Sequence, residues 1–400
     1  MQKLCCFMLV TFMILGTIGI VDAKPKKDAE SMEELGELIY FDQYLSANKN
    51  QSCASCHDPN TGFVDPLNIR LPETFVSSAG SDPTLFGGRN SPMAAYALNS
   101  PNFFFNAGEG LWIGGQFWDG RADDLAEQAK GPFLNPVEMG MPDRAAVVDA
   151  MFAADNKNKN AYEVLFPAAF PGITSASSVD EIYNAMADAI AAFESTFPFN
   201  EFSSKFDHVL NQGYVTWDGT VLITADAGGL TTVFSTAEID GMNVFFDDTD
   251  GGGQCVLCHM PPDFTDFTYD NLGIPTSKND LLRKNPVDLG LANTITNLDE
   301  LYPHITTTAP EAAAALQEGK FKVMTVRNVE LTAPYGHNGY FATLKDIVHF
   351  YNTRDVDPMW EKPEVPQNVN FNELGNLGLS SAQEADLVAF LKTLTDGYKP

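Results

Sequence analysis

The chain of 400 residues reads as a mostly α-helical protein built from two related domains with long irregular loops. Three observations predict this. The segment "SMEELGELIYFD" (31–42) recurs as "STAEIDGMNVFFD" (235–247), and each copy leads into a Cys-x-x-Cys-His pentapeptide, "CASCH" at 53–57 and "CVLCH" at 255–259. Apolar residues recur at helical spacing in several other segments, whereas strand patterns are few. Two Gly/Pro-rich stretches, 76–117 and 357–378, read as long loops packed around something, and loops of that length are usually functional.

The first element is a leader. In "MQKLCCFMLVTFMILGTIGIVDAKPKK", Lys3 is a short positive start, Leu4–Val21 is apolar and Val21-Asp22-Ala23 is a small-residue cleavage pattern. Residues 1–23 therefore read as a secretory signal peptide cut before Lys24. No other apolar run nears the roughly 18 residues of a membrane span, so no integral span is expected in the mature chain. Cys5 and Cys6 leave with the leader; they precede its apolar region, so neither sits where a lipoprotein anchor would. Cys53, Cys56, Cys255 and Cys258 remain, all inside the two motifs, and none is left for a structural disulfide.

The remaining elements follow in order. Ser31/Glu34 and Ser235/Glu238 match the capping box, in which each side chain satisfies the free N–H of the other's end of a helix start. Each repeat then runs through apolar positions to Phe-Asp, and each motif is followed by a Pro-containing turn and a Phe, at Phe63 and Phe264. Two related helical modules explain this most simply. "DEIYNAMADAIAAFESTF" places Ile182, Met186, Ile190 and Phe193 on one stripe, and "TWDGTVLITADAGGLTTVF" suits a hairpin. The domain boundary falls within 212–235, giving an N-terminal domain over 24–215 and a C-terminal domain over 216–400. "TLKDIVHFYN" predicts a short helix. "SAQEADLVAFLKTL" predicts the last one, with a box at Ser381/Glu384 and apolar Leu387, Phe390, Leu391 and Leu394; this helix is free to pack back on the N-terminal domain. The net charge of −29 repels nucleic acid and anionic lipid and attracts a basic partner at low salt; a solubility charge on an exported protein accounts for it equally well.

Cys-x-x-Cys-His is the attachment pattern of c-type haem. The two thiols add to the haem vinyl groups, and the adjacent imidazole, from His57 or His259, ligates the iron. A zinc ribbon needs its Cys pairs close together and no His directly after each pair. Function then turns on what faces each iron from the other side, since an iron with two protein ligands shuttles electrons and one with an open face binds peroxide or oxygen. The other histidines are His208, His304, His337 and His349, and none lies between His57 and His208. The first domain has no obvious second histidine of its own.

From about residue 33 to 397 the chain resembles the bacterial dihaem cytochrome c peroxidase/MauG superfamily, in "LIYFDQYLS…SCASCHDP", "GGRNSP", "FWDGRADDLAEQAKGPFLNPVEMG", "CVLCH", "GKFKVMTVRNVELTAPYGHNGYFATLKDIVHFYN" and "ADLVAFLKTLT". The resemblance implies two cytochrome c-like domains, two covalently attached haem c groups and a calcium ion between the domains. It places Gln128 and Glu138 over the open face of the first haem, with Glu138 moving the proton that O–O cleavage of H2O2 requires, and Trp118 between the haems as an electron relay. It assigns calcium to Asn90, Thr332 and Pro334; the last two supply backbone carbonyls, which suit this hard cation. For the second haem it implies Tyr351 as the far-side ligand, where peroxidases of the superfamily have Met and MauG-like members have Tyr; Met359 is the rival.

The loop near "SDPTLFGGRNSP" lacks the removable His that closes the first haem in many peroxidases, which also points to the MauG-like branch, methanotroph relatives included. The Phe- and Gly-rich 99–116 loop lines the pocket, shapes a docking surface or simply packs. The implied function is a periplasmic oxidoreductase in which H2O2 drives the pair of haems to a high-valent state that oxidises a partner protein, at tryptophan, by long-range electron transfer. The alternative is a peroxidase clearing H2O2 with electrons from a small cytochrome or cupredoxin. A non-catalytic dihaem carrier is the weakest reading, because it leaves the open face and Glu138 without a use.

Overall fold

The computed structural model describes residues 26–249 and 251–400; the signal-peptide reading and Cys5 and Cys6 lie outside these. Helices dominate, and the strands form three short antiparallel ribbons: Phe104–Asn106 with Leu111–Ile113, Val215–Trp217 with Leu222–Thr224, and Tyr269–Asp270 with Phe321–Lys322. Among the described residues no helix is long and apolar enough to cross a membrane.

Each half is organised by one helix crossing. In the first, the helix Lys26–Tyr40 packs on Val179–Glu194. Leu35 and Ile39 of one interleave with Met186 and Ile190 of the other, all buried, as the sequence stripe predicts; Phe193 joins a neighbouring aromatic cluster instead. In the second half, Thr236–Phe246 packs on the last helix, Ser381–Lys392, with Met242 and Phe245 against Leu387, Phe390 and Leu391. The last helix thus belongs to the second core, and only the tail beyond it reaches the first half, where Asp396 accepts from Tyr96 Oη at 2.6 Å. The helix Lys205–Asn211 also packs into the second core through Phe206 and Val209. Burying each large side chain contributes roughly 1.5–3 kcal/mol.

Both crossings turn on a glycine five residues before the repeat's Phe-Asp. A Cβ on Gly36 would lie 2.0 Å from the Ala189 carbonyl oxygen, and one on Gly241 would lie 1.8 Å from that of Asp386. The obstacle is backbone in both cases, so no rotamer change relieves it.

Three local expectations are corrected. Ser31 is interior to its helix, which begins by Lys26, because Lys26–Glu30 continue the helical pattern upstream; Ser31/Glu34 is not a capping box. In the last helix Ser380 and Gln383 form the box, one residue earlier than Ser381/Glu384, because the adjacent serine caps instead. This frees Glu384 to accept from His349 and Asn352. The hairpin ends at Thr224, and Ala227–Val233 is a helix N-capped by Asp226. Ser235/Glu238 is capped as expected.

The 99–116 loop contributes the first ribbon, whose aromatic side chains bridge the halves. Phe103 stacks on Trp112 (centroids 4.9 Å) and on Tyr302 (4.8 Å), and Trp112 Nε1 donates to the Ala312 carbonyl at 3.3 Å. Beside it, Arg89 donates to both oxygens of Asp288 (2.6 and 2.8 Å). Its third nitrogen sits 2.7 Å from Asp119 Oδ2, an ion-pair distance without hydrogen-bond alignment.

Gly36→Ala and Gly241→Ala should each destabilise the protein, by about 1–3 kcal/mol or more from overpacking, despite the ~0.5–1 kcal/mol that Ala gains in a helix interior. Gly131→Ala is the control, since its Cβ would meet only Phe117 Cζ at 3.6 Å. Denaturant midpoints check this; equal midpoints for all three variants would remove the crossings from their governing role.

Candidate active site: two cavities around paired Cys-x-x-Cys-His turns

Each motif folds as one tight turn. Cys53–Cys56 is a single helical turn, and Cys255–Leu257 is a 3-10 turn. In each, the His N–H donates to the first cysteine's carbonyl, at 2.9 Å in both, which sets thiols and imidazole on one side. The imidazoles are then aimed by a second device. His57 Nδ1 lies 3.3 Å from the Phe63 carbonyl and His259 Nδ1 lies 3.1 Å from that of Phe264. A carbonyl only accepts, so Nδ1 carries the proton and the Nε2 lone pair is left for the cavity, the arrangement of a metal-ligating histidine. Phe63 and Phe264 both have left-handed backbone, φ 59° and 53°, a conformation rare for aromatic residues. The sequence shows the repeated Phe but not that its carbonyl is the functional group.

Burial keeps these groups neutral. It lowers the His57 imidazole, and pushes His259 down to about 4. It raises all four thiols, Cys56 and Cys255 to about 12. The four cysteines are unpaired. Among the described residues no cluster of His, Cys, Asp or Glu is set to hold a metal ion by itself.

The first cavity, about 600 Å³, is lined by Cys53, Cys56, His57, Trp118, Gln128 and Glu138, among others. Gln128 is carried by the helix Leu125–Leu134, capped by Asp124. Glu138 follows in the turn after that helix. Its N–H donates to the Asn135 carbonyl at 3.0 Å, and its Oε1 accepts from Asn135 Nδ2 at 2.7 Å. Burial raises the Glu138 carboxyl, outweighing Arg121 and the Asn135 bond, which lower it. No histidine other than His57 lines this cavity. The sequence reading missed Asn135, and also Glu194, a buried carboxyl on the same lining that burial pushes up to about 8.

The second cavity is lined by Cys255, Cys258, His259, Tyr351, His337 and Trp118, among others. Tyr351 is carried by the helix Leu344–Thr353, and no hydrogen bond to its hydroxyl is found among the described residues. Burial, with the two nearby thiols, raises its phenol well above the ordinary value. Met359 is 61% exposed and is not on this lining. Trp118 lines both cavities, with Nε1 donating to the Asn90 carbonyl at 2.9 Å. Asn90 Nδ2 donates to the Pro334 carbonyl at 3.0 Å, across the two halves, and Thr332 lies on the second cavity's wall. A cation there would need the Asn90 amide turned over, Oδ1 inward.

The residues present fit two haems: paired thiols, an oriented neutral imidazole and a mostly apolar cavity at each motif. A mostly helical frame with two such seats defines a dihaem cytochrome, and the comparisons with known proteins agree. A family profile described as di-haem cytochrome c peroxidase matches residues 30–214. The methylamine utilization protein MauG of Paracoccus denitrificans is 35% identical, over 100% of this chain and 97% of its own. The cytochrome c551 peroxidase of Nitrosomonas europaea is 28% identical over 91% and 80%. The structure of the diheme peroxidase BthA from Burkholderia thailandensis superposes with a TM-score of 0.74 at 28% identity, covering 92% of this chain and 86% of that one. The chain belongs to the di-haem cytochrome c peroxidase/MauG family, whose members are haem-dependent oxidoreductases of peroxidase type.

Glu194 carries a pH prediction. Its folded-state value of about 8 stands above the ordinary 4.5, so the folded protein binds the extra proton. Its contribution is fully present below about 4.5 and is lost as pH rises through about 8. Glu194→Gln should flatten this part of the pH dependence of unfolding; an unchanged slope would show that Glu194 ionises normally.

Proposed function

We propose that this chain is a MauG-like periplasmic enzyme that uses H2O2 to oxidise a partner protein at tryptophan by long-range electron transfer. Haem c held at each motif supplies, when bound, the iron chemistry of peroxide reduction. The balance is H2O2 plus two electrons and two protons giving two waters, with the electrons drawn from the partner's indole. The observation that carries the reading is the contrast between the two cavities: no second histidine and a raised carboxyl, Glu138, on the first lining, and on the second a phenol, Tyr351, with no hydrogen-bond partner among the described residues.

Each residue has a stated task. Cys53, Cys56, Cys255 and Cys258 form thioether bonds to the vinyl groups, and His57 and His259 offer Nε2. Glu138 takes the proton from the inner peroxide oxygen and returns it to the outer one, which leaves as water. Gln128 orients the peroxide through its amide. A carboxyl with a raised value suits this shuttle, because acceptor and donor forms lie closer in energy near neutral pH. Tyr351 would hold the second haem together with His259, and Trp118, on both linings, would couple the two. The acidic surface favours a basic docking face on the partner. The second reading, a peroxidase drawing electrons from a small cytochrome or cupredoxin, is favoured by the likeness to the Nitrosomonas enzyme.

H2O2 added to the fully oxidised protein separates them. Prompt loss of both ferric EPR signals is expected; no reaction until the second haem is reduced would favour the peroxidase. Glu138→Gln should slow the reaction by about 10²–10⁴-fold. Tyr351→Phe should alter the second haem's spectrum while Met359→Leu does not; the reverse would move the ligand to Met359.

Calcium, with Asn90 Oδ1 and the carbonyls of Thr332 and Pro334 as ligands, would tie the halves together. Chelation should then lower the thermal midpoint and added calcium restore it. An unmoved midpoint in excess chelator would remove the ion from this reading.

A further inference from the structure

The wall between the two cavities holds a cation that neither the family resemblance nor the mechanism uses. Lys322 lines both cavities and is 8% exposed. It sits on the ribbon formed by Tyr269–Asp270 and Phe321–Lys322, and its backbone N–H donates to the Trp118 carbonyl at 2.8 Å. Its ammonium donates to Ser100 Oγ and to the Gly115 carbonyl, and lies 5.7 Å from the centre of the Phe267 ring. Ser100 belongs to the first cavity's lining and not to the second's, so the charged end is at the first cavity.

The other cations on these linings are already matched. Arg89 holds Asp288 and Asp119, Arg121 holds Asp119, and Arg327 holds both oxygens of Asp207 at 2.8 Å. Lys322 has no carboxylate partner among the described residues, in a chain with a large excess of acidic groups. An ammonium has three donors; two go to neutral oxygens and one is unclaimed. A buried unpaired charge is costly, and a protein keeps one where an anion arrives to meet it. Haem carries two carboxylate side chains.

We propose that the Lys322 ammonium anchors a carboxylate of the haem in the first cavity, from the wall that cavity shares with the second. The inference rests on the haem seats proposed above and on nothing about the partner protein. Burial alone pushes the ammonium down to about 7; a carboxylate beside it reverses this and holds the charge at neutral pH. A fixed positive charge at that edge stabilises the reduced, more negative state of the first haem and so raises its potential. The neighbouring second haem feels the same charge more weakly.

The test uses the haem-loaded protein and spectroelectrochemical titration of both haems. Lys322→Met should lower the first haem's midpoint by about a tenfold change in its one-electron equilibrium, ~59 mV, with a smaller shift at the second. Lys322→Arg, which keeps the charge, should stay near wild type. An unmoved first haem in Lys322→Met, or equal shifts in both variants, would overturn the anchor, the latter because it would report packing and not charge. If Lys322→Met does not fold, a structure of the wild-type holoprotein decides: Nζ within hydrogen-bond distance of a first-haem carboxylate supports the anchor, and Nζ on Ser100 and Gly115 alone overturns it. A wild-type protein that carries no haem would overturn the seats themselves, and a loaded protein with unmoved potentials overturns the anchor only.

Discussion

Each half depends on two helices meeting backbone to backbone. Gly36 against Ala189 and Gly241 against Asp386 leave no room for a methyl group, and this closeness fixes everything that follows along the chain. The helix that ends at Tyr40 delivers the chain to the first Cys turn, and the one that ends at Phe246 delivers it to the second. Tyr40 then ties its helix to the motif, donating to the His57 carbonyl at 2.7 Å. Had the helices sat a side chain's width further apart, the turn would not close against the cavity wall formed by the opposing helix, where Ile190 and Glu194 stand. The glycine is unfavourable for its own helix and favourable for the pair, a case of tertiary packing overriding local propensity.

The electrostatics of the seats follow from the same enclosure. Burial opposes charge, so it holds the imidazoles and thiols neutral and raises Glu138 and Glu194. The two seats differ in the polar groups that line them. The first presents an amide and a carboxyl, Gln128 and Glu138, and the second a phenol, Tyr351. The arginine charges that the enclosure retains are paired with carboxylates, as in the Arg327–Asp207 couple. There burial alone would raise the Asp207 carboxyl, but the bonds and charge of Arg327 more than reverse it.

Much of this was legible in the sequence, and the reasons for the rest are specific. The paired motifs and their preceding helices were readable because each repeats, and repetition separates signal from chance. Residues 128, 138 and 351 came from a resemblance and not from pattern, since a single Glu or Tyr carries no periodicity; the structure does bring Gln128 and Glu138 to the first cavity and Tyr351 to the second. The capping boxes slipped where neighbouring serines or good helix formers offered an equivalent start, at Ser31 and Ser381. The crossing glycines were invisible because a glycine inside a helical pattern reads as a penalty. The carbonyls of Phe63 and Phe264 were invisible because backbone groups have no letter in a sequence, although the recurrence of Phe after each motif was the trace they left.

The crossings also join distant parts of the chain. Gly36 and Ala189 are far apart along the chain, as are Gly241 and Asp386, so each contact closes a long loop, which is entropically costly and slow. The first Cys turn and the Glu138 turn both lie inside the loop that the first crossing closes, and the second Cys turn and Tyr351 lie inside the other. Each motif is thus held in place by a contact between residues remote from each other in sequence, so neither seat is a local unit of the chain.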